Sequence, residues 1–365
     1  ALRSGEEAAF NAEAWHFPME MRAWFSEDME DDLHTAGVTN ELVTSWARKE
    51  ARAWNESHMP EQRNCLRSHR KAILEFMEAL ARVTGLSVPG WQVAILLWDA
   101  FCRTGIFASK SDLEALKELP AAVAALVLLL RKDECSCTAP RAAELAHFTT
   151  RFYRRFFARS TSATEDTNGE GPQEPVPSVM AEQIHQQERQ LLEALDWQMH
   201  RPCAATWIDT LCKRLNIITS KKFTQQVQWV CQQSVATSQA LVHLMPSSFE
   251  MQPKQMANGL ICLMCVIARI LPLEVLRSTK VSSSEWQKLF CDALSSGLPS
   301  SELADDKLPW FLQCLTAATC CSREVLQADS LKLAQMMKLI KPNAPKAQSA
   351  EPVKAKEMSS RTVRI

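Results

Sequence analysis

The chain has 365 residues, and its 41 lysines and arginines balance 42 aspartates and glutamates to give a formal net charge of −1. This balance excludes a protein that binds a polyanion mainly through bulk charge. The length suits two or three domains, and the apolar residues, 46% of the chain, can supply their cores. Because only 9 glycines and 1 tyrosine occur, the composition disfavours turn-dense β architecture, and we predict an all-α protein.

Apolar runs and cysteines bear on the location of the protein. No stretch reaches the roughly 18 consecutive apolar residues that a membrane helix needs, and the longest run covers 121–130. The first residues show no basic region followed by an apolar one, so nothing indicates secretion. The 13 cysteines are then expected to be reduced thiols rather than a disulfide framework. The sequence predicts an intracellular protein of the nucleus or cytoplasm that does not bind membranes.

The first residues of the chain show no clear helical pattern. Residues 1–38 combine isolated aromatic side chains with an acidic stretch at 27–32, and we expect them to be weakly structured. From Asn40 onward apolar residues recur at helical spacing, and Thr39 or Asn40 can cap the helix. This pattern predicts one amphipathic helix ahead of the first domain.

Five further helical segments are predicted before residue 202. The first ends at Gly85, a residue typical of helix C-termini, and the second begins at Pro89, which suits a first helical turn. The third begins at Pro120 and is apolar on every side through Leu130, so other helices must surround it. The fourth and fifth segments cover about 139–156 and 184–201.

Composition divides the remainder of the chain. Residues 159–179 are rich in Ser, Thr, Glu, Gly and Pro and cannot bury an apolar face, so we predict a disordered loop. The tail is polar and broken by prolines, and we predict it to be unstructured. A second set of helical patterns covers 204–215, 223–244, 253–270, 284–294 and 309–339. The predicted divisions are a weakly structured segment at 1–38, the amphipathic helix and first helical domain at 39–201, a second helical domain at 202–340, and the tail at 341–365.

Four charged residues lie on or beside the predicted apolar stripes, where an unpaired charge is costly. Arg70 and Asp99 lie on consecutive helices and have opposite signs, so one buried or half-buried salt bridge satisfies both. Lys132 follows the third helix and Glu188 lies on the fifth. These two also have opposite signs, and either they pair with each other or they face a partner.

Five segments, taken in chain order, resemble a set of motifs that one protein family carries in the same order. Residues 70–77 are similar to the opening motif Arg-Ala-Ile-Leu-x-Asp-Trp-Leu, with Glu75 for the acid and Phe76 for the Trp. The longest match, 188–202, stands where that family carries Glu-x-x-Ile-Leu-x-x-Leu-x-Trp-x-Leu-x-x-Pro-Thr. The other three segments are 97–101, which matches Leu-Leu-Asp-Arg-Phe, 128–134, which is similar to Leu-Leu-Ala-Ser-Lys-Phe-Glu, and 140–145, which is similar to Pro-x-x-x-Glu-Phe. The chain therefore resembles a cyclin over roughly residues 40 to 215.

The resemblance implies two five-helix bundles in tandem, preceded by the N-terminal amphipathic helix. In cyclins, a Lys at the end of the third helix and a Glu of the fifth contact the activating helix of a cyclin-dependent kinase, and these correspond to Lys132 and Glu188. Arg70 and Asp99 correspond to a structural salt bridge. The resemblance thus implies a regulatory subunit without cofactor or catalytic activity that activates a cyclin-dependent serine/threonine kinase, in cell-cycle control, without contacting nucleic acid.

Cyclins also carry a docking patch for Arg-x-Leu sequences of kinase substrates or inhibitors. By position this patch corresponds to His69, Ala72 and Phe76. The family has a Met and a Trp where this chain has His69 and Phe76, and these replacements argue against that recruitment function.

Other classes of function remain as alternatives. A transcription-associated cyclin or a helical adaptor similar to general transcription factor B would share the box fold, although the near-neutral charge argues against DNA binding. Cys262 and Cys265 have a spacing seen in metal sites, but they lie within an apolar helical run and no second pair accompanies them, so we expect no metal. No catalytic constellation is recognisable, and we do not expect an enzyme.

Overall fold

The computed structural model describes residues 27–56, 69–104, 111–156, 178–245, 251–271 and 308–339. Within these ranges every regular element is a helix, so the all-α prediction is confirmed. None of these helices is long and apolar enough to cross a bilayer. In chain order the helices are α1 (Glu27–Thr35), α2 (Asn40–Glu56), α3 (Arg70–Thr84), α4 (Val88–Arg103), α5 (Asp112–Cys135), α6 (Ala142–Phe156), α7 (Ala181–Ala194), α8 (Ala204–Ile218), α9 (Thr224–Leu244), α10 (Pro253–Ile267), α11 (Leu308–Thr319) and α12 (Arg323–Met336), with a short 3-10 helix, Ser136–Thr138, after α5.

Helices α3 to α7 form a first bundle around α5. The predicted apolar segment from Ala121 to Leu130 is buried at every position except Leu129, which is half-buried. The helix itself begins earlier than the predicted start at Pro120. Ser111 and Glu114 form a capping box there, in which the Ser111 N–H donates to Glu114 Oε2 at 2.8 Å and the Glu114 N–H donates to Ser111 Oγ at 3.3 Å. Because this cap starts the helix at Asp112, about two turns upstream, Pro120 lies inside it.

The turn between α3 and α4 follows the predicted stop and start signals. Gly85 caps α3 in the left-handed conformation with a φ of 69°, which a residue without a side chain adopts readily. Ser87 caps α4, because its Oγ accepts a hydrogen bond from the Gly90 N–H at 3.1 Å, and Pro89 occupies the first turn. Local signals therefore set this turn.

Helices α8 to α12 pack around a second core in which almost every residue of α10 is buried. The single helix predicted over 309–339 is wrong, because the chain breaks at Cys320, which has a φ of 52°. Ser322 then caps α12 by accepting from the Val325 N–H at 3.4 Å. The helix predicted at 284–294 lies outside the described residues, as do residues 1–26, the tail at 341–365 and all but the end of the loop predicted at 159–179.

The N-terminal helices differ from expectation in two ways. Helix α1 forms within the segment predicted to be weakly structured, because Leu33 and Val38 near its end are buried. Helix α2 packs on the second core, where Val43 and Ala47 are buried and the Trp46 ring meets the Trp207 ring edge-on at 5.5 Å. The sequence grouped α2 with the first bundle, but long-range packing decides its position.

Glu50 attaches α2 to the second bundle from a buried position. Its Oε2 accepts a hydrogen bond from Trp207 Nε1 at 2.6 Å, and its Oε1 accepts one from the Lys254 backbone N–H, in the first turn of α10, at 3.0 Å. A carboxylate at a helix N-terminus is favourable, yet burial dominates here. Desolvation raises the pKa of Glu50 from 4.5 to about 7, against the lowering effects of both hydrogen bonds and of the Lys254 charge.

We expect the free energy of unfolding to fall as the pH rises from 4.5 to about 7, because the folded chain holds the Glu50 proton over this range while the unfolded chain loses it. The full contribution is of the order of 3 kcal/mol. Burial also raises the pKa of Asp329, from 3.8 to about 6. Its deprotonation therefore lowers the free energy of unfolding with rising pH as well. Urea unfolding across this pH window, followed by circular dichroism, measures the dependence. Glu50→Gln should make the dependence shallower and leave the part due to Asp329, and an unchanged slope in that variant would contradict the assignment.

Candidate functional site

Lys132 and Glu188 meet at the C-terminal end of α5, in the first bundle. Lys132 lies in the last turn of the central helix α5, and Glu188 lies on α7, which packs along α5. The Lys132 Nζ atom is 2.6 Å from Glu188 Oε1. The Lys132 side chain is 42% exposed and the Glu188 side chain 12% exposed. Of the two alternatives left by the sequence, the structure shows that the two residues pair with each other, while the Lys132 side chain stays partly exposed.

Glu188 is held in place by a second contact on its own helix. His185 Nδ1 lies 2.8 Å from Glu188 Oε2, one turn earlier on α7. The backbone around Glu188 is rigid because Ile184 and Leu191 on the same helix are fully buried in the first core. The carboxylate therefore projects from a fixed position rather than from a loop.

A cleft opens next to the end of α5, between the two bundles. The segment that joins α7 to α8 runs beside it, since His200 Nδ1 lies 3.5 Å from Asp133 Oδ2. That segment also carries Trp197, which is 67% exposed, and a large exposed apolar side chain is a candidate contact for a partner. The residues that line the cleft include Trp46, Lys49, Val93, Leu130, Asp133 and Met199.

Arg70 and Asp99 form a bidentate ion pair in the interior. Arg70 Nη2 donates to Asp99 Oδ2 at 2.9 Å and Arg70 Nε donates to Asp99 Oδ1 at 3.3 Å, and Asp99 has no exposed surface. Arg70 Nη1 also donates to the carbonyl oxygens of Met245 at 2.7 Å and Val242 at 3.2 Å. The guanidinium thus joins the first bundle to the end of α9 in the second, which the sequence did not indicate.

The three side chains at the positions of the cyclin docking patch are not brought together on the surface. Phe76 is fully buried in the first core, so it cannot contact a docked peptide. Ala72 is half-buried and packs against that core, and His69 is half-buried at the start of α3. The apolar periodicity of α3 explains this outcome, because it places Phe76 with Ile73 and Leu80 on the inner face.

Cys262 and Cys265 lie in the interior of α10, where both are buried. Burial raises the pKa of Cys262 from 9.0 to about 11 and raises the pKa of Cys265 well above 9.0. These shifts oppose formation of the thiolates that bind zinc. Among the residues that the structure describes, no group of three or more His, Cys, Asp and Glu is close enough to hold a metal ion.

Arg214 is a residue of structural importance that the sequence reading did not single out. It is fully buried on α8, and its guanidinium donates to the carbonyl oxygens of Ala318 and Val38 at 2.7 and 2.6 Å. A signal was present, because Arg214 lies one turn from Leu211 and Ile218 on the buried face of α8. The same reasoning that identified Arg70 on an apolar stripe could have identified it.

Comparison with known proteins adds no relative. No protein-family model matches this chain, and no curated protein matches it either. What the chain binds must therefore be inferred from its own residues and their geometry.

Proposed function

We propose that this chain is a cyclin-type regulatory subunit that binds and activates a cyclin-dependent serine/threonine kinase in cell-cycle control. The observation that supports the proposal most is the contact between Lys132 Nζ and Glu188 Oε1 at 2.6 Å, where the central helix of the first bundle ends. The two residues were selected by position in motifs that resemble the cyclin box, and they are separated in sequence by 56 residues. Their proximity is what the proposal requires.

The pair would recognise the partner by charge and by hydrogen bonding. An ammonium has three N–H donors, and Lys132 can donate to backbone carbonyl groups of a kinase helix while it remains next to Glu188. The Glu188 carboxylate can accept from backbone N–H groups of the same helix. Such contacts set orientation and register more than affinity. The affinity would come from apolar surface, and the cleft with Trp46, Val93 and Leu130 beside the end of α5 offers such surface.

Activation would occur through a shift in population. A regulatory subunit that binds only the kinase conformation with its activating helix turned inward stabilises that conformation by its differential affinity. That conformation completes the Lys–Glu pair and the metal arrangement that phosphoryl transfer requires. The chain would contribute no reacting group of its own.

The direct test uses the full chain and a panel of purified cyclin-dependent kinase subunits, both cell-cycle and transcription-associated. We expect a stoichiometric complex with at least one of them in size-exclusion chromatography and a large increase in phosphorylation of a Ser-Pro peptide. The kinase that responds distinguishes cell-cycle control from a transcriptional role. If every subunit stays monomeric and inactive in the presence of the chain, the proposed function is wrong.

Exchanging the charges of the pair in the double variant Lys132→Glu with Glu188→Lys should lower kinase activation by at least about tenfold, measured as phosphorylation of the Ser-Pro peptide. The exchanged side chains can still pair within the chain, so stability should change little, but each now faces the partner with the wrong sign.

The matched control for this variant is the exchange Arg189→Glu with Glu193→Arg on the same helix. Arg189 and Glu193 form an exposed pair at 2.8 Å, with side chains 81% and 56% exposed. The control should activate the kinase like the wild type. Equal kinase activation by the two charge-exchanged variants would show that Lys132 and Glu188 do not contact the kinase.

A further inference from the structure

Two thiols lie in contact at the end of α5. Cys135 is the last residue of that helix and Cys137 lies in the 3-10 turn that follows, and their Sγ atoms are 3.3 Å apart. Cys135 is half-buried and Cys137 is exposed. Both sulfur atoms are thus placed near each other at the surface of the protein.

The surroundings make the two thiols chemically unequal. The pKa of Cys135 is lowered from 9.0, because hydrogen bonds from the Thr138 and Cys137 side chains and from the Thr138 backbone stabilise its thiolate, with a smaller effect of the Arg131 charge. The pKa of Cys137 is raised from 9.0, because its hydrogen bond and its proximity to Cys135 favour the protonated form. Arg131 also donates to Thr138 Oγ1 at 2.5 Å, and its Nη1 lies 3.5 Å from Glu134 Oε2, so this guanidinium fixes the turn. Since the thiolate is the nucleophile, Cys135 is the more reactive of the two.

Four other thiols on the helices of the second bundle are less suited to reaction. Cys262 and Cys314 have pKa values raised to about 11 by burial. Cys231 on α9 contacts Cys212 on α8, and this contact lowers the pKa of Cys231. Cys212, however, is buried, with 3% of its surface exposed. Cys137 is exposed, and it is therefore more accessible to an oxidant from solvent than either sulfur atom of this second pair.

We propose that Cys135 and Cys137 form an oxidation site for hydrogen peroxide, at which Cys135 is attacked first and Cys137 closes a disulfide. In the first step the Cys135 sulfur displaces hydroxide from the peroxide, so that an S–O bond forms, the O–O bond breaks and a sulfenic acid results. In the second step the Cys137 sulfur attacks the Cys135 sulfur. The S–S bond forms, the S–O bond breaks, and the oxygen leaves as water with the Cys137 proton. Two thiols lose two electrons in total, and the peroxide is reduced to two water molecules.

The geometry favours closure within the chain over reaction with another molecule. The two Sγ atoms need to approach by about 1.2 Å to reach the bonding distance of about 2.05 Å. Both residues lie within one turn, so closure requires no movement of the bundle core. The site does not depend on the proposed kinase partner, because the reaction involves only this chain and peroxide.

Peptide mass spectrometry tests the site in the full, reduced chain. Trypsin cleaves after Lys132 and Arg141, and the peptide 133–141 contains Cys135 and Cys137 as its only cysteines. After brief treatment with hydrogen peroxide and alkylation, we expect this peptide to lose two hydrogens and to carry no alkyl group. It should be oxidised at least about tenfold faster than the peptide with Cys231. A peptide 133–141 that stays doubly alkylated while Cys231 is oxidised would overturn the proposal.

Single variants assign the two roles. In Cys137→Ser, dimedone should capture a sulfenic acid at Cys135, because no thiol remains to resolve it. In Cys135→Ser, capture at Cys137 should fall at least about tenfold, since the activated thiolate is gone. Cys231→Ser is the control and should form the Cys135–Cys137 disulfide at the wild-type rate. Dimedone capture at Cys137 equal to that at Cys135 would contradict the order of attack.

Discussion

Replacing Arg70 by Met is expected to lower the free energy of unfolding by about 3 to 5 kcal/mol. The variant leaves the Asp99 carboxylate without its bidentate partner at a position with no exposed surface. It also removes the donor to the carbonyl groups of Val242 and Met245, so the first bundle loses a connection to α9. Urea unfolding followed by circular dichroism measures the loss.

The control for this variant lies on the same helix. Arg82 pairs with Glu78 at 2.6 Å, but the Arg82 side chain is 78% exposed, and Arg82→Met should cost less than about 1 kcal/mol. The double variant Arg70→Met with Asp99→Leu should be more stable than Arg70→Met alone, because no buried charge is left unpaired. If Arg70→Met and Arg82→Met were equally stable, the Arg70–Asp99 pair would not be the structural element that its burial indicates.

Replacing Arg214 by Met should destabilise the second bundle by about 3 kcal/mol or more, since several buried hydrogen-bond acceptors lose their donor together. Two of these acceptors, the carbonyl groups of Ala317 and Ala318, lie in the last turn of α11, where a positive charge is favourable. The others, the Val38 carbonyl and the Asn40 side chain, precede or begin α2. Burial lowers the pKa of Arg214 itself, and these hydrogen bonds offset the cost of burying its charge.

Two comparisons make this prediction specific. Arg214→Lys should also be destabilising, because a single ammonium cannot span acceptors on both sides as the planar guanidinium does. The neighbouring Lys213 is 56% exposed and pairs with Asp209, so Lys213→Met should change stability by less than about 1 kcal/mol. Hydrogen exchange of the α2 backbone amides should speed up in Arg214→Met and stay unchanged in Lys213→Met. Unchanged protection of α2 would show that Arg214 does not hold the N-terminal helices.

The helix boundaries show where sequence reasoning succeeds. The stop at Gly85, the start at Pro89 and the buried segment up to Leu130 were all predicted, because each depends on residues close together in the chain. The early start of α5 at the Ser111 capping box was overlooked even though its signal is equally local. The break at Cys320 carries no glycine or proline to announce it.

Burial of individual side chains was harder to predict than helix position. Phe76 corresponds by position to a docking patch of cyclins, whose function here the sequence argued against, and the periodicity of its helix directs it to the core. The position of α2 was assigned from its place before the first bundle, but Trp46 and Glu50 find their partners on α8 and α10. Order along the chain does not determine which bundle an amphipathic helix covers.

By itself the sequence determined the helical class, several helix ends and the need for Arg70 and Asp99 to be neutralised, since composition, caps and the cost of a buried charge act over short distances. Only the tertiary structure decided that Lys132 lies beside Glu188, that Arg70 reaches α9 and that Arg214 holds the start of α2. These contacts join residues far apart in the chain, and they form only because apolar packing brings their helices together. Hydrophobic burial favours compact packing without specifying which polar groups will meet.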